Sequence, residues 1–261
     1  MRILKALALC SLILLYIIIA LPLQFLTLFM PPWRLFAAMA RLTRAFCLIA
    51  RMILRIRVLL EGKTQYRHEQ GNCIITNHLG YLDGIVLGSL FPAVFVSKLQ
   101  VKSWPLFGLM TQLGGTIYID RSRKLKAAGS VERISNCLKN RLNILFFPEG
   151  TSTDGSKVLP FQSIFFQAAL NASSPIVPNT IQYLSLNSKK ITIANRDNVF
   201  WYGQVSFAKH LLSVLGLKGI EVKVTIHPKI ESKKYSFENG GRKQLAEDAR
   251  RIIMQGLSPV A

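Results

Sequence analysis

Residues 77–83 read Asn-His-Leu-Gly-Tyr-Leu-Asp, with a histidine and an aspartate five positions apart. An imidazole next to a carboxylate is the pair that general-base chemistry on a hydroxyl needs. The carboxylate fixes the tautomer of the ring and supports its cationic form. On a regular helix, positions five apart diverge by about 140°. A turn at Gly80 therefore has to bring Asp83 back onto His78. The spacing alone is equally that of a histidine in an ordinary loop, so the elements around it must decide.

The pair follows Cys73-Ile74-Ile75-Thr76, a β-branched apolar run bounded by Gly71-Asn72, which predicts a short buried strand. From Val58 onward such runs alternate with helical stretches, the pattern of an α/β fold with a mostly parallel sheet and crossover helices. Four runs end in polar residues in the same manner. Cys73–Thr76 leads into Asn77-His78, and Ala93–Val96 into Ser97-Lys98. Thr116–Ile119 leads into Asp120-Arg121, and Leu145–Phe147 into Pro148-Glu149-Gly150-Thr151. Parallel strands place their carboxyl ends along one edge, where open α/β sheets bind ligands, so the four clusters can converge on one site. Ile176–Pro178 and Val222–Ile226 are expected to complete the sheet. Helices are expected over Gly84–Leu90, Ala127–Asn140, Phe165–Asn171 and Arg242–Gln255.

The chain has 261 residues, enough for one substantial α/β domain and an appendage. Half of it is apolar, and 33 Lys and Arg face 13 Asp and Glu for a formal charge of +20. Such hydrophobicity excludes disorder, and no nucleic-acid-binding motif is present. A basic chain that is also apolar points to anionic bilayer surfaces or acidic partners and not to nucleic acid. Cys10, Cys47, Cys73 and Cys137 lack metal-ligand spacing and read as core residues of a reducing compartment. No metal site is expected.

No charged residue occurs between Lys5 and Arg34, and the run Ala6–Met30 is long enough to span a bilayer. On a helix, Arg34, Arg41, Arg44, Arg51 and Arg55 fall within an arc of about 100°. Leu35, Met39, Leu42, Phe46, Ile49 and Ile53 fall opposite. A basic stripe facing an apolar one describes a helix lying in a membrane interface. Positive charge after the apolar run puts the rest of the chain in the cytoplasm. Residues 1–57 are thus expected to form membrane-association helices, and residues 58–261 a catalytic domain.

Four blocks now stand in order: Asn77–Asp83, Gly115–Arg121 (Gly-Thr-Ile-Tyr-Ile-Asp-Arg), Phe147–Thr151 (Phe-Pro-Glu-Gly-Thr) and Ile176–Pro178. In this order and at these separations they resemble the glycerolipid acyltransferase family, whose typical members are bacterial 1-acylglycerol-3-phosphate acyltransferases. Lys98 and Lys102–Pro105 resemble a further family segment. The similarity runs from about Val58 to the end. The resemblance implies transfer of a fatty acyl group from an acyl thioester to a lysolipid hydroxyl, at the inner membrane with the catalytic domain facing the cytoplasm. It implies His78 as general base and Asp83 as its orienting carboxylate. Asn77, Lys98, Asp120, Arg121, Glu149, Gly150 and Thr151 are implied on the acceptor side. Acyl-CoA or acyl-carrier protein would be co-substrate, with no cofactor.

Elementary chemistry agrees. A guanidinium such as that of Arg121 forks onto phosphate. A thioester needs no covalent nucleophile from the protein. The tetrahedral oxyanion needs donors, for which the amides near Gly80 or Gly150 are candidates. Three departures bear on the acceptor: Tyr118 where Phe is usual, Ser152 where lysophosphatidate-specific members often carry Arg, and Asn179 where an apolar residue is commoner. They widen the expected acceptors from 1-acylglycerol-3-phosphate to other lysolipids, including lyso-ornithine lipid. Two other classes stay open at this level: a non-catalytic membrane-surface docking protein, and a hydrolase using His78 and Asp83 on water.

Overall fold

The computed structural model describes residues 1–26, 29, 31–104, 106–120, 124–235 and 240–258, with side chains over 124–127 left aside. Two helices lead, α1 (Arg2–Phe25) and α2 (Pro32–Leu54). Proline at the first turn suits the start of α2, and Arg55 in the left-handed conformation closes it. The remainder alternates strands and helices: β1 (Ile56–Gly62), β2 (Cys73–Thr76), α3 (Tyr81–Leu90), β3 (Ala93–Lys98), α4 (Phe107–Leu113), β4 (Ile117–Ile119), α5 (Lys124–Lys139) and β5 (Asn143–Phe146). Then follow α6 (Ile164–Ala172), β6 (Ile176–Leu186), β7 (Lys189–Lys190), α7 (Phe207–Gly216), β8 (Ile220–Ile226) and α8 (Gly241–Gln255).

The sheet order is β1-β8-β6-β2-β5-β3-β4, with β7 pairing on β6. Strands β6, β2, β5, β3 and β4 are mutually parallel. Strands β8 and β1 are parallel to each other, and β8 runs antiparallel to β6. This is the α/β, mostly parallel sheet flanked by helices that the sequence predicts. Strand β2 sits in the middle and is buried at all four positions, as a continuous apolar run requires. Apolar cores line both faces. One packs α3 and α7 residues such as Leu82, Val86 and Val214 on the sheet. The other packs α5, α6 and α8 residues such as Ile134, Phe166 and Leu245.

The N-terminal helices pack on each other and on the catalytic domain. Part of the apolar side of α2 packs inside the protein, while Ile49 stays exposed. Met39 is wholly buried, and Leu35, Leu42 and Phe46 pack with it around Tyr16 and Ala20 of α1 and Leu113 of α4. The physical reason is pairing: α1 offers α2 a nearer apolar partner than a bilayer does, which a reading of α2 alone does not include. Helix α1 is docked along its whole length. Near its start the Lys5 ammonium donates to Leu217 O at 2.7 Å and Leu54 O at 3.3 Å, the carbonyls closing α7 and α2. In its middle, Tyr16 pairs with the Thr43 hydroxyl at 3.0 Å and meets the Phe46 ring edge-on. Near its end, Gln24 donates to Leu113 O at 2.9 Å. By length and composition α1 can cross a membrane. Its outer face exposes Ile3, Leu4, Leu7, Leu14, Ile18 and Phe25. Arg34, Arg41, Arg44 and Arg55 of the expected stripe are exposed, and Arg51 is half-buried.

Candidate active site

Strand β2 ends at Thr76, and four residues later the chain turns into α3 with Gly80 as the N-cap. The backbone of Gly80 is extended (φ 162°), so no left-handed conformation is needed there. Space is what Gly80 supplies: a Cβ would stand 2.9 Å from the Trp201 nitrogen. Trp201 in turn donates its backbone N–H to Leu79 O at 2.9 Å, pinning the turn from outside.

Asp83 is the third residue of α3, where a carboxylate meets the unpaired amides of a helix start. Its Oδ2 accepts the Leu79 N–H at 2.6 Å, the Gly80 N–H at 2.9 Å and the His78 ring Nδ1 at 2.9 Å. Capping the helix and orienting the histidine are thus one arrangement, which is how a spacing of five closes. Asp83 is wholly buried, and the His78 side chain keeps 20% exposure. With Asp83 ionised, Nδ1 carries the proton, so the ring presents Nε2 as its basic nitrogen. Phe147 stacks on the imidazole at 4.0 Å between centroids and 22° between planes.

Two residues outside the expected set complete the pair. Tyr183, on β6, donates its hydroxyl to Asp83 Oδ1 at 2.9 Å. Phe147 belonged to a recognised block but not to the expected site residues. Tyr183 carries no local signal, since it lies a hundred residues from Asp83 in a strand foreseen only to Pro178.

Strand β5, beside β2, delivers the block at Phe147–Thr151. Glu149 is buried. One carboxylate oxygen accepts the His78 backbone N–H at 2.7 Å and the other the Leu159 N–H at 2.7 Å. Burial pushes its carboxyl up to about 7, against the opposing pull of those two amides. Three further ties hold the following loop. Thr153 N–H donates to His78 O at 3.0 Å, Arg196 bonds Asp154 at 2.9 Å, and Arg250 donates to the Val158 and Leu159 carbonyls. Gly150 takes a left-handed φ of 72°, and Thr151 is exposed beyond it.

Asn77 and Glu149, expected on the acceptor side, face the protein instead. Asn77 is buried and exchanges two hydrogen bonds with the Ile181 backbone, at 2.9 and 3.0 Å, tying β2 to β6. The cause is the same for both: main-chain groups at the sheet edge have lost water and need partners. Of the candidate oxyanion donors near Gly80 and Gly150, the two glycine amides themselves are engaged. The Gly80 amide serves Asp83, and the Gly150 amide serves Phe147 O at 3.0 Å.

Lys98 ends β3 and is exposed, and Asp120 directly follows β4 and is half-buried. Both lie on the same carboxyl edge. At the usual strand spacing, β3 and β4 stand roughly 10 and 14 Å from β2. The edge therefore brings a histidine, a lysine and an aspartate to one side at graded distances. Arg121 lies outside the described residues. Among the described residues no group of three or more His, Cys, Asp or Glu could hold a metal ion.

Fold and site together describe an α/β protein with a hydrogen-bonded His–Asp pair at the carboxyl edge of its central parallel strands. Residues 57–182 match the family model described as Acyltransferase. A lyso-ornithine lipid O-acyltransferase of Rhizobium meliloti (strain 1021) is 28% identical over 258 residues, covering 96% of this chain and 86% of that protein. A 1-acyl-sn-glycerol-3-phosphate acyltransferase of Escherichia coli (strain K12) is 36% identical over 132 residues, 49% of this chain and 53% of that one. The crystal structure of the 1-acyl-sn-glycerophosphate (LPA) acyltransferase from Thermotoga maritima superposes with a TM-score of 0.64 at 18% identity, covering 98% and 97% of the two chains. That last likeness concerns the fold. Residues 57–182 thus match an acyltransferase domain, and with these relatives the chain is an acyltransferase.

Proposed function

We propose that this chain transfers a fatty acyl group from an acyl thioester to the free hydroxyl of a lysolipid, 1-acylglycerol-3-phosphate first, giving phosphatidic acid in phospholipid biosynthesis. The observation that carries the reading is the 2.9 Å bond from His78 Nδ1 to a buried, fully hydrogen-bonded Asp83. His78 Nε2 takes the hydroxyl proton as the acceptor oxygen bonds to the thioester carbon. The tetrahedral intermediate then collapses, the C–S bond breaks, and the thiolate leaves with the proton that His78 returns. The thioester supplies the leaving group, so the reading assigns no cofactor. The donor is acyl-CoA or acyl-carrier protein.

Lys98, Asp120, Arg121, Gly150 and Thr151 serve the acceptor in this reading, and the cationic groups among them suit its anionic end. A second acceptor, lyso-ornithine lipid, is favoured by one observation. The relative of that name matches through 96% of the chain, whereas two relatives named for 1-acyl-sn-glycerol-3-phosphate match 49% and 62% of it. Ser152 in place of an arginine points the same way.

The enzyme works at the inner membrane, with its catalytic domain on the cytoplasmic side. Support comes from the outward apolar face of α1 and the exposed arginines of α2. Because α1 is docked end to end, a bilayer crossed by it would also have to take in the ends of α4 and α7. The helix pair therefore lies in one leaflet, with 1–57 as membrane-association segment and 58–261 as catalytic domain.

The test offers the detergent-purified protein both lysolipids with each donor and weighs the diacyl products by mass. Phosphatidic acid supports the first acceptor and diacyl ornithine lipid the second. Release of free fatty acid without acceptor would indicate a hydrolase, and no product from any pair a docking protein.

A further inference from the structure

We propose that Tyr183 is a positioning residue for acyl transfer, its hydroxyl fixing the orientation in which Asp83 presents Oδ2 to His78. The inference rests on the reading of His78 as the base. Asp83 has two oxygens with different duties. Oδ2 accepts His78, Leu79 and Gly80, and Oδ1 accepts the Tyr183 hydroxyl at 2.9 Å. Asp83 is wholly buried, so water cannot replace that fourth donor. Without it, one oxygen of an anion would stand unpaired in the interior, a costly arrangement that rotation of the carboxylate or uptake of a proton would relieve. Either response misplaces the imidazole or changes its proton affinity.

Strand β6 is built to deliver this hydroxyl. Ile181 and Tyr183 are both buried and two apart, so they share a face of the strand. The pairing of β6 with β8 slips directly after Tyr183, opposite Val222, so that the next paired residue is Ser185. Such a bulge re-aims side chains beside it and is common at active sites. The ring is braced edge-on by Phe200, at 5.5 Å and 66°. Burial, and then the charge of Asp83, raise the phenol well above its ordinary range, which keeps it a donor at every working pH.

The experiment compares wild type with Tyr183→Phe, which keeps the ring and removes the hydroxyl. Deleting a donor to an anion raises the proton affinity of the coupled pair, so the acid limb of the kcat/KM profile should move up by about half to one pH unit. Turnover should fall about tenfold, with thioester KM nearly unchanged. In an Asp83→Asn background the same change should cost little more, since Tyr183 acts through that carboxylate. Should Tyr183→Phe not fold, Tyr183→3-fluorotyrosine, a stronger donor, should move the limb down instead. A lowered melting temperature with an unmoved acid limb, or a full additive loss in the Asp83→Asn background, overturns the inference. The base reading fails separately, if His78→Ala turns over normally whatever Tyr183 does.

Discussion

Glu149 holds the main chain of His78: its Oε1 accepts the His78 backbone N–H at 2.7 Å while Oε2 holds Leu159. The two loops that meet at the sheet edge are thereby fastened to each other through one buried carboxylate. An amide in its place offers only one acceptor and sets an N–H₂ against a backbone N–H. Glu149→Gln should therefore lower turnover without altering acceptor specificity, and destabilise the fold by about 1–3 kcal/mol at neutral pH. Chemical denaturation together with the acyl-transfer assay checks both parts.

The same group gives stability a pH dependence. Burial lifts its carboxyl to about 7 in the folded chain, against about 4.3 unfolded. The folded state holds the proton more tightly, so its contribution is complete below the unfolded value and is lost as pH rises through about 7. Melting curves of wild type should show a loss of stability across that window that Glu149→Gln does not share. Parallel curves for the two proteins would remove Glu149 as the cause.

Much of this was legible beforehand. The four strand ends follow from short apolar runs that stop at polar residues, and β2, β3, β5 and the start of β6 stand where those runs are. The His78–Asp83 contact was legible as a need for a turn, though not its form, a helix start that uses Asp83 twice. What stayed hidden depends on long-range pairing. Polar residues Asn179, Thr180 and Gln182 mask the continuation of β6 as far as Leu186, and with it Tyr183. The apolar stripe of α2 gives no sign that α1 lies against part of it, around Met39. Asn77 and Glu149 read as ligands because their burial is set by Ile181 and by the His78 main chain, far away in sequence.

Lys5 tests the docking of α1. Its ammonium closes α2 and α7 at once through Leu54 O and Leu217 O. Lys5→Met keeps the helix apolar and removes both bonds, so unfolding of the detergent-solubilised chain should become easier by about 1–3 kcal/mol. Unchanged stability would mean that α1 stands apart from the catalytic domain.

The exposed arginines of α2 should set the preference for anionic lipid. Changing Arg34, Arg41, Arg44 and Arg55 together to Gln, in the intact chain, should weaken binding to anionic vesicles by about 1 kcal/mol per residue near the surface. Binding to neutral vesicles, driven by the face of α1, should hold. The difference should shrink in high salt. Equal binding to both vesicle types before and after the changes would deny these residues a docking role.

The account stands most directly on one rate. His78→Ala leaves Asp83 capping α3 through the Leu79 and Gly80 amides, so the protein should fold. With the acceptor and donor that give product in wild type, its turnover should be at least about a hundredfold lower, the scale of general-base catalysis. A folded His78→Ala protein that makes diacyl product at near the wild-type rate would contradict it.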